Sequence, residues 1–164
     1  MTAPPREIVV RMGEYAVARG DGVLVALGLG SCVAVILHDR YARVGGLAHV
    51  VLPSASLSRD RDRPARAAET AVPLLVGAMR AEGADVARMA ARLVGGASMF
   101  ANLLAAGTVS MGDRNALAVR AALRAAGIPI VGESVGESFG RSVWFDLRLG
   151  TAVIRSVGRE DRVL

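Results

Sequence analysis

The sequence has no lysine; all twenty of its basic residues are arginine. Cysteine occurs once, at Cys32, and histidine twice, at His38 and His49. A single cysteine excludes an internal disulfide and any multi-cysteine zinc or iron–sulfur centre. It also makes a reducing cytoplasm the expected setting. Aromatic residues are 4% of the chain and are not interleaved with the arginines. The stacking platforms of nucleic-acid binders are therefore missing. No long apolar run is present either. The uncharged, strongly apolar stretch Gly22 to Leu37 is broken by Gly28 and Gly30. It falls short of the roughly 18–20 residues that span a bilayer. The start of the chain, with Pro4 and Pro5, has no apolar core of a secretory signal. Membrane insertion is not expected.

What the chain does have is an apolar content of 52% over 164 residues, with 19 glycines. That suits one packed domain, residues 1–164, with a core large enough to need no staples. The net charge of +5 fits an acidic partner surface met by electrostatic steering. The lack of lysine itself is read as base composition of the genome rather than a binding requirement.

The pattern predicts strands over Arg6–Met12, Val23–Leu27, Cys32–Leu37, Val44–Leu52, Arg88–Val94, Ile128–Glu133, Ser142–Leu147 and Thr151–Val157. It predicts helices over Ala65–Glu82 and Asn115–Ala126, closed by Gly83 and Gly127. Gly28 to Ser31 reads as a tight turn before Cys32. Ser54 to Arg66, with its alternating Arg59 to Arg63 charges, reads as a solvated loop, or as a lid beside a site that the preceding strand carries. The expected class is α+β: layered mixed sheets packed with two main helices.

The cysteine and the histidines can be compared by geometry. If Cys32–Leu37 and Val44–Leu52 pair antiparallel around Arg40–Tyr41, Cys32 stands opposite His49. Opposed side chains lie about 5 Å apart at Cβ, within reach of a thiol–imidazole contact. His38 shares the face of Cys32 but lies roughly 20 Å along the strand. Gly45–Gly46 is a place where a bulge would shift this register. A lone cysteine in an apolar strand is also a common core residue. What favours chemistry is the turn before it: Gly30 and Ser31 leave room for a reacting carbonyl, and backbone N–H groups there can form an oxyanion hole.

Several segments together resemble the CheD family of chemoreceptor glutamine deamidases. They are GEYAV (Gly13–Val17), LGLGSCVAV (Leu27–Val35), GLAHVVLP (Gly46–Pro53), GGASMF (Gly95–Phe100), GDRN (Gly112–Asn115), Gly127–Ile128, Glu133–Ser134 and Gly140–Val143. The resemblance implies a cysteine nucleophile at Cys32 and its histidine at His49. It implies deamidation of glutamines on the cytoplasmic helices of methyl-accepting chemotaxis receptors, with glutamyl methyl esters as further substrates, and no metal or organic cofactor. It also implies a possible CheC-type CheY-phosphate phosphatase partner, and a fold similar to that of the cytotoxic necrotizing factor deamidases. Where the family often has a threonine as third site member, this chain has Ala26, so a backbone carbonyl at Ala26 or a neighbour is expected to orient the histidine. Ser98 is a candidate for the pocket lining or else part of a strand-ending turn. Met99 and Phe100 are candidates for partner docking or core. Arg141 is expected to face acidic receptor helices or solvent. Two rival readings stay open: a non-catalytic interaction module, and a cysteine hydrolase of other specificity.

Overall fold

The computed structural model describes residues 3–59 and 62–164; Asp60 and Arg61 of the expected charged loop lie outside the described residues. Strands β1 (Glu7–Val9), β3 (Val23–Leu29), β8 (Arg141–Asp146), β9 (Thr151–Arg155) and β10 (Arg162–Val163) form one mixed sheet in that order. A second mixed sheet has the order β2 (Tyr15–Arg19), β5 (Val44–Val50), β4 (Val33–Asp39), β6 (Ala90–Gly95), β7 (Ile130–Val135). Helices α1 (Ala68–Ala81) and α2 (Met111–Ala126) cover the outer face of the second sheet. This is the expected α+β class with two main helices.

The central strands of the second sheet are buried on both faces, which is why β4 and β5 read as almost unbroken apolar runs. Val33, Val35, Leu37, Ala48 and Val50 pack against Val72, Leu75 and Met79 of α1 and Val119 and Leu123 of α2. On the opposite face Ala34, Ile36 and Leu47 meet Leu24, Ala26, Val143 and Phe145 of the first sheet, and Cys32 belongs to this inner layer.

The β4–β5 pairing differs from the expected one by two residues. Ala34, not Cys32, stands opposite His49, and Asp39 stands opposite Val44. The cause is the turn. It has four residues, Arg40 to Arg43, with Arg43 left-handed at φ 58°. Asp39 closes it by accepting the Ala42 N–H at 3.0 Å. Gly45 and Gly46 carry no bulge. They are where the neighbouring layers press in: an added Cβ would lie 3.0 Å from Leu147 Cγ at Gly45 and 2.7 Å from Leu75 Cδ1 at Gly46.

Other boundaries also moved for local reasons. The second predicted strand runs on to Leu29 through an irregularity after Ala26, where the Gly28 N–H turns to the Ser142 hydroxyl. Helix α1 starts at Ala68, because Ala67 is drawn into a parallel bridge with Leu52 and the Arg66 carbonyl accepts from Val51 and Leu52. Pro64–Arg66 is a short 3-10 turn instead. Helix α2 begins four residues early, with the Ser110 hydroxyl accepting the Asp113 N–H as N-cap. Its end at Gly127, left-handed at φ 72°, is as expected. Strand β2 was read only as a motif, and β10 was not expected.

Asp39 also holds the far side of the turn. Burial alone would raise its carboxyl, but hydrogen bonds from Arg88 and from the Asp85 and Ala42 N–H groups outweigh this and hold it at about 2. The sign follows: its stabilisation is complete above the ordinary aspartate value of about 3.9 and is lost as pH falls towards 2. Thermal melts across that window should show a steep loss of stability in the native protein. Asp39→Asn should be less stable at neutral pH and lose part of that acid slope; equal slopes would contradict the assignment.

Candidate active site

Cys32 follows β3 through Gly30 and Ser31 and immediately precedes β4. The turn is held from the neighbouring segment: Gly96 N–H donates to the Cys32 carbonyl at 2.8 Å and Ala97 N–H to the Gly30 carbonyl at 2.9 Å. Gly95 takes φ 117°, and a Cβ there would stand 2.1 Å from the Cys32 oxygen. Only glycine lets these two chains approach so closely. Among the described residues the Ser31 N–H donates to no backbone acceptor, and the Cys32 N–H faces its own thiol.

His49 lies on the inner face of β5. Its Nδ1 donates to the Val10 carbonyl at 3.0 Å. A carbonyl can only accept, so Nδ1 carries the proton and Nε2 is the basic nitrogen. Nε2 is buried and has no partner among the described residues. The backbone of His49 is clamped to the same β1–β2 turn, donating to the Glu14 carbonyl at 3.0 Å and accepting from Gly13 at 2.9 Å. The expectation of a carbonyl orienter thus holds in kind, but the carbonyl belongs to Val10, not Ala26. Ala26 is fully buried in the inner layer beside Cys32.

A register shift of two residues leaves every side chain on its original face. Carried one residue past Val33, the register sets Cys32 diagonal to His49, positions that in a regular ladder lie about 7–8 Å apart. His38 sits at the other end of β4, edge-on to Phe145 at 5.2 Å between ring centres. Of the two histidines, His49 is paired at the Cys32 end of β4 and His38 lies at the other.

Burial pushes the Cys32 thiol up, against the pull of its own backbone N–H and of Arg66. Burial pushes His49 down, against the Val10 hydrogen bond and Glu14. Both shifts favour the uncharged pair, thiol and imidazole, at rest. Both side chains are buried, Cys32 at 9% and His49 at 3% exposure.

Ser98 and Ser31 line a cavity of about 230 Å³ with Met99, Phe100, Ser110 and Gly112. The Ser98 hydroxyl donates to Ser110. Met99 and Phe100 are exposed at 51% and 71%, so they are not core. A larger hollow of about 650 Å³ lies between α1 and α2, lined on the α2 side by alanines, and does not include Cys32 or His49. Arg141 neither faces solvent nor a partner. It is buried, donating to Ser134 Oγ at 3.1 Å and to the Gly136 carbonyl at 2.8 Å, and so props the Gly95–Gly136 crossing. No trio of His, Cys, Asp or Glu among the described residues could hold a metal ion. No helix among them is long and apolar enough to cross a membrane.

Asn115 has a structural role that the sequence reading did not assign. It is fully buried, and its Nδ2 donates to both the Ser31 and Val51 carbonyls at 2.9 Å. One side chain thus ties the turn before Cys32 to the strand end beyond His49. The quoted GDRN string contained it, but only the convergence of two distant segments reveals its task.

The chain matches the family described as CheD chemotactic sensory transduction over residues 51–156. It is 41% identical over 161 residues to the probable chemoreceptor glutamine deamidase CheD of Moorella thermoacetica, covering 98% of this chain and 96% of that one. It is 42% identical over 150 residues to the chemoreceptor glutamine deamidase CheD of Thermotoga maritima, covering 92% of each. The probable chemoreceptor glutamine deamidase CheD of Pyrococcus abyssi is 40% identical over 152 residues, 93% of each.

Removing the tie should loosen the site. Asn115→Ala is expected to cost about 1–3 kcal/mol in thermal or urea unfolding. It should lower turnover by about a hundredfold through displacement of the turn. Asn115→Asp, which sets a carboxylate against two carbonyls, should be worse on both measures. Ala26→Thr should change turnover by less than about tenfold, because the Val10 carbonyl already orients the base.

Proposed function

Because the chain belongs to the CheD family, we propose that it hydrolyses glutamine side chains of chemoreceptors to glutamate, with Cys32 as nucleophile and His49 as base. One observation carries the reading of the site. The Val10 carbonyl fixes the His49 tautomer so that an unpartnered Nε2 remains on the sheet face shared with Cys32.

The reaction then runs from an uncharged resting pair. As the carboxamide settles against the turn, Nε2 takes the thiol proton and the sulfur attacks the amide carbon. The carbonyl oxygen becomes an oxyanion near the Ser31 and Cys32 N–H groups; a donor of this kind is worth about 10²–10³ in rate. Imidazolium protonates the departing nitrogen, and ammonia leaves. The thioester is hydrolysed by a water that neutral His49 deprotonates, which regenerates the thiol and leaves glutamate. A glutamyl methyl ester would follow the same path, releasing methanol.

Gly30, Ser31 and Ser98 are proposed as the backbone and walls of the glutamine pocket. The exposed Met99–Phe100 surface beside the cavity is proposed to meet the receptor, or a CheC-type phosphatase that competes for it. The setting is the cytoplasm, where receptor signalling helices lie. The non-catalytic reading drew on Ala26; with Val10 orienting the base, a missing hydroxyl at Ala26 no longer argues for lost activity.

Incubation with a receptor cytoplasmic fragment tests this, with ammonia release and mass spectrometry of the receptor glutamines as readouts. Cys32→Ala should give no conversion. His49→Gln should lose about 10²–10⁴ in rate. His49 must be neutral to act and its value is depressed, so the acid limb of kcat/KM should lie below about 6.5. Conversion that persists in Cys32→Ala, or cleavage of the receptor backbone, would sink the proposal.

A further inference from the structure

An uncharged resting pair raises a question that Cys32 and His49 do not answer alone. When the proton moves, an anionic sulfur forms in a buried layer, where burial opposes charge. The imidazolium supplies one compensating charge, but it is itself buried. A further cation beside the thiol would matter there.

Arg66 is the candidate. It closes the 3-10 turn Pro64–Arg66, and its carbonyl accepts both the Val51 N–H at 2.8 Å and the Leu52 N–H at 2.9 Å. This backbone is therefore fastened to the chain leaving β5, just past His49. Its stem lies on Gly13: an added Cβ there would stand 2.6 Å from Arg66 Cγ. Gly13 belongs to the same turn that clamps His49 through the Glu14 carbonyl and its own N–H. The Arg66 Nε is buried with no hydrogen-bond acceptor, and its guanidinium makes no ion pair among the described residues. An arginine donor left without an acceptor in a protein interior is unusual. It is understandable if the acceptor is formed during the reaction.

We propose that Arg66 is a positioning residue that supplies the fixed positive charge against which the Cys32 sulfur becomes anionic. The inference rests on the reading of Cys32 as the nucleophile. The other charged groups around the site do different work. Glu14 acts on His49. Asp113 gives its backbone N–H to the Ser110 cap of α2. Arg141 spends its guanidinium on Ser134 and Gly136. Arg63, on the same turn, also approaches Gly13 but has an interaction of its own. Arg66 is the one bonded through its backbone to Val51, whose carbonyl Asn115 ties to that of Ser31, the residue before Cys32.

The chain's single cysteine makes the test direct, because iodoacetamide alkylation followed by intact mass reports on Cys32 alone. The rate is measured against pH in the full-length protein. Arg66→Met keeps the stem on Gly13 and removes the charge. Its profile should move up by about one pH unit, which slows alkylation about tenfold at neutral pH. Arg66→Lys should restore most of the native profile. Arg66→Gln is the second neutral variant should Arg66→Met lose its melting transition. A folded neutral variant with an unmoved profile overturns the proposal. So does an equal shift in Arg66→Lys, which would mark lost packing rather than lost charge. Failure of the deamidase reading shows in a separate result: receptor glutamines still converted by Cys32→Ala, whatever the alkylation profile.

Discussion

The antiparallel pairing of β4 with β5 is the constraint on which the site depends. Both strands are buried on both faces, so each residue is committed to one layer or the other. A slip of one position would send His49 into the helix layer and Ala48 and Val50 into the inner one. The Asp39 carboxylate guards against that slip. It closes the four-residue turn and binds Arg88 and the Asp85 N–H, so the hairpin is fastened at the end remote from Cys32. Gly45 and Gly46 then let Leu147 and Leu75 press in from either side. The chemical face of the sheet is thus fixed by ordinary core packing.

Reactivity is built on that frame by backbone groups more than by side chains. Val10 sets the tautomer of His49; Gly96 and Ala97 hold the carbonyls of Cys32 and Gly30; Asn115 joins the two strand ends. Burial keeps both the thiol and the imidazole uncharged. An enzyme arranged in this way holds a quiet thiol, poorly reactive towards oxidants, since it is the thiolate that reacts. On the proposed mechanism, charge separation is deferred until a substrate carbonyl is present to receive the sulfur.

The fold class and the shared face of Cys32 and His49 were legible in the sequence because alternation and apolar runs report directly on layers. The register was not. It depends on a turn whose length is decided by an Asp39 cap and a left-handed Arg43, and no periodicity encodes that. Helix α2 starts at Met111, four residues before the expected Asn115, and takes in Gly112. Position 112 is glycine because a Cβ there would lie 2.3 Å from the Ala97 oxygen. Arg141 was taken for a surface charge, since nothing local announces that two glycine turns will offer it their carbonyls. Val10, Asn115 and Arg66 were unassigned for one reason: their roles exist only where distant segments meet.

The substitution at Ala26 follows from the same division of labour. A hydroxyl beside a histidine can donate or accept, so it steers the ring only if a further partner fixes the hydroxyl itself. A backbone carbonyl accepts only, and its direction is set by the strand that carries it. Here β1 pairs with β3 in parallel, and the chain continues so that Val10 N–H meets the Val25 carbonyl at 2.8 Å, leaving the Val10 oxygen to His49. Position 26 then faces an apolar layer of Leu24, Cys32, Ala34 and Val143. A threonine hydroxyl in that layer needs a hydrogen-bond partner of its own, whereas alanine needs none. Once the carbonyl orients the base, small and apolar is the better choice between the sheets.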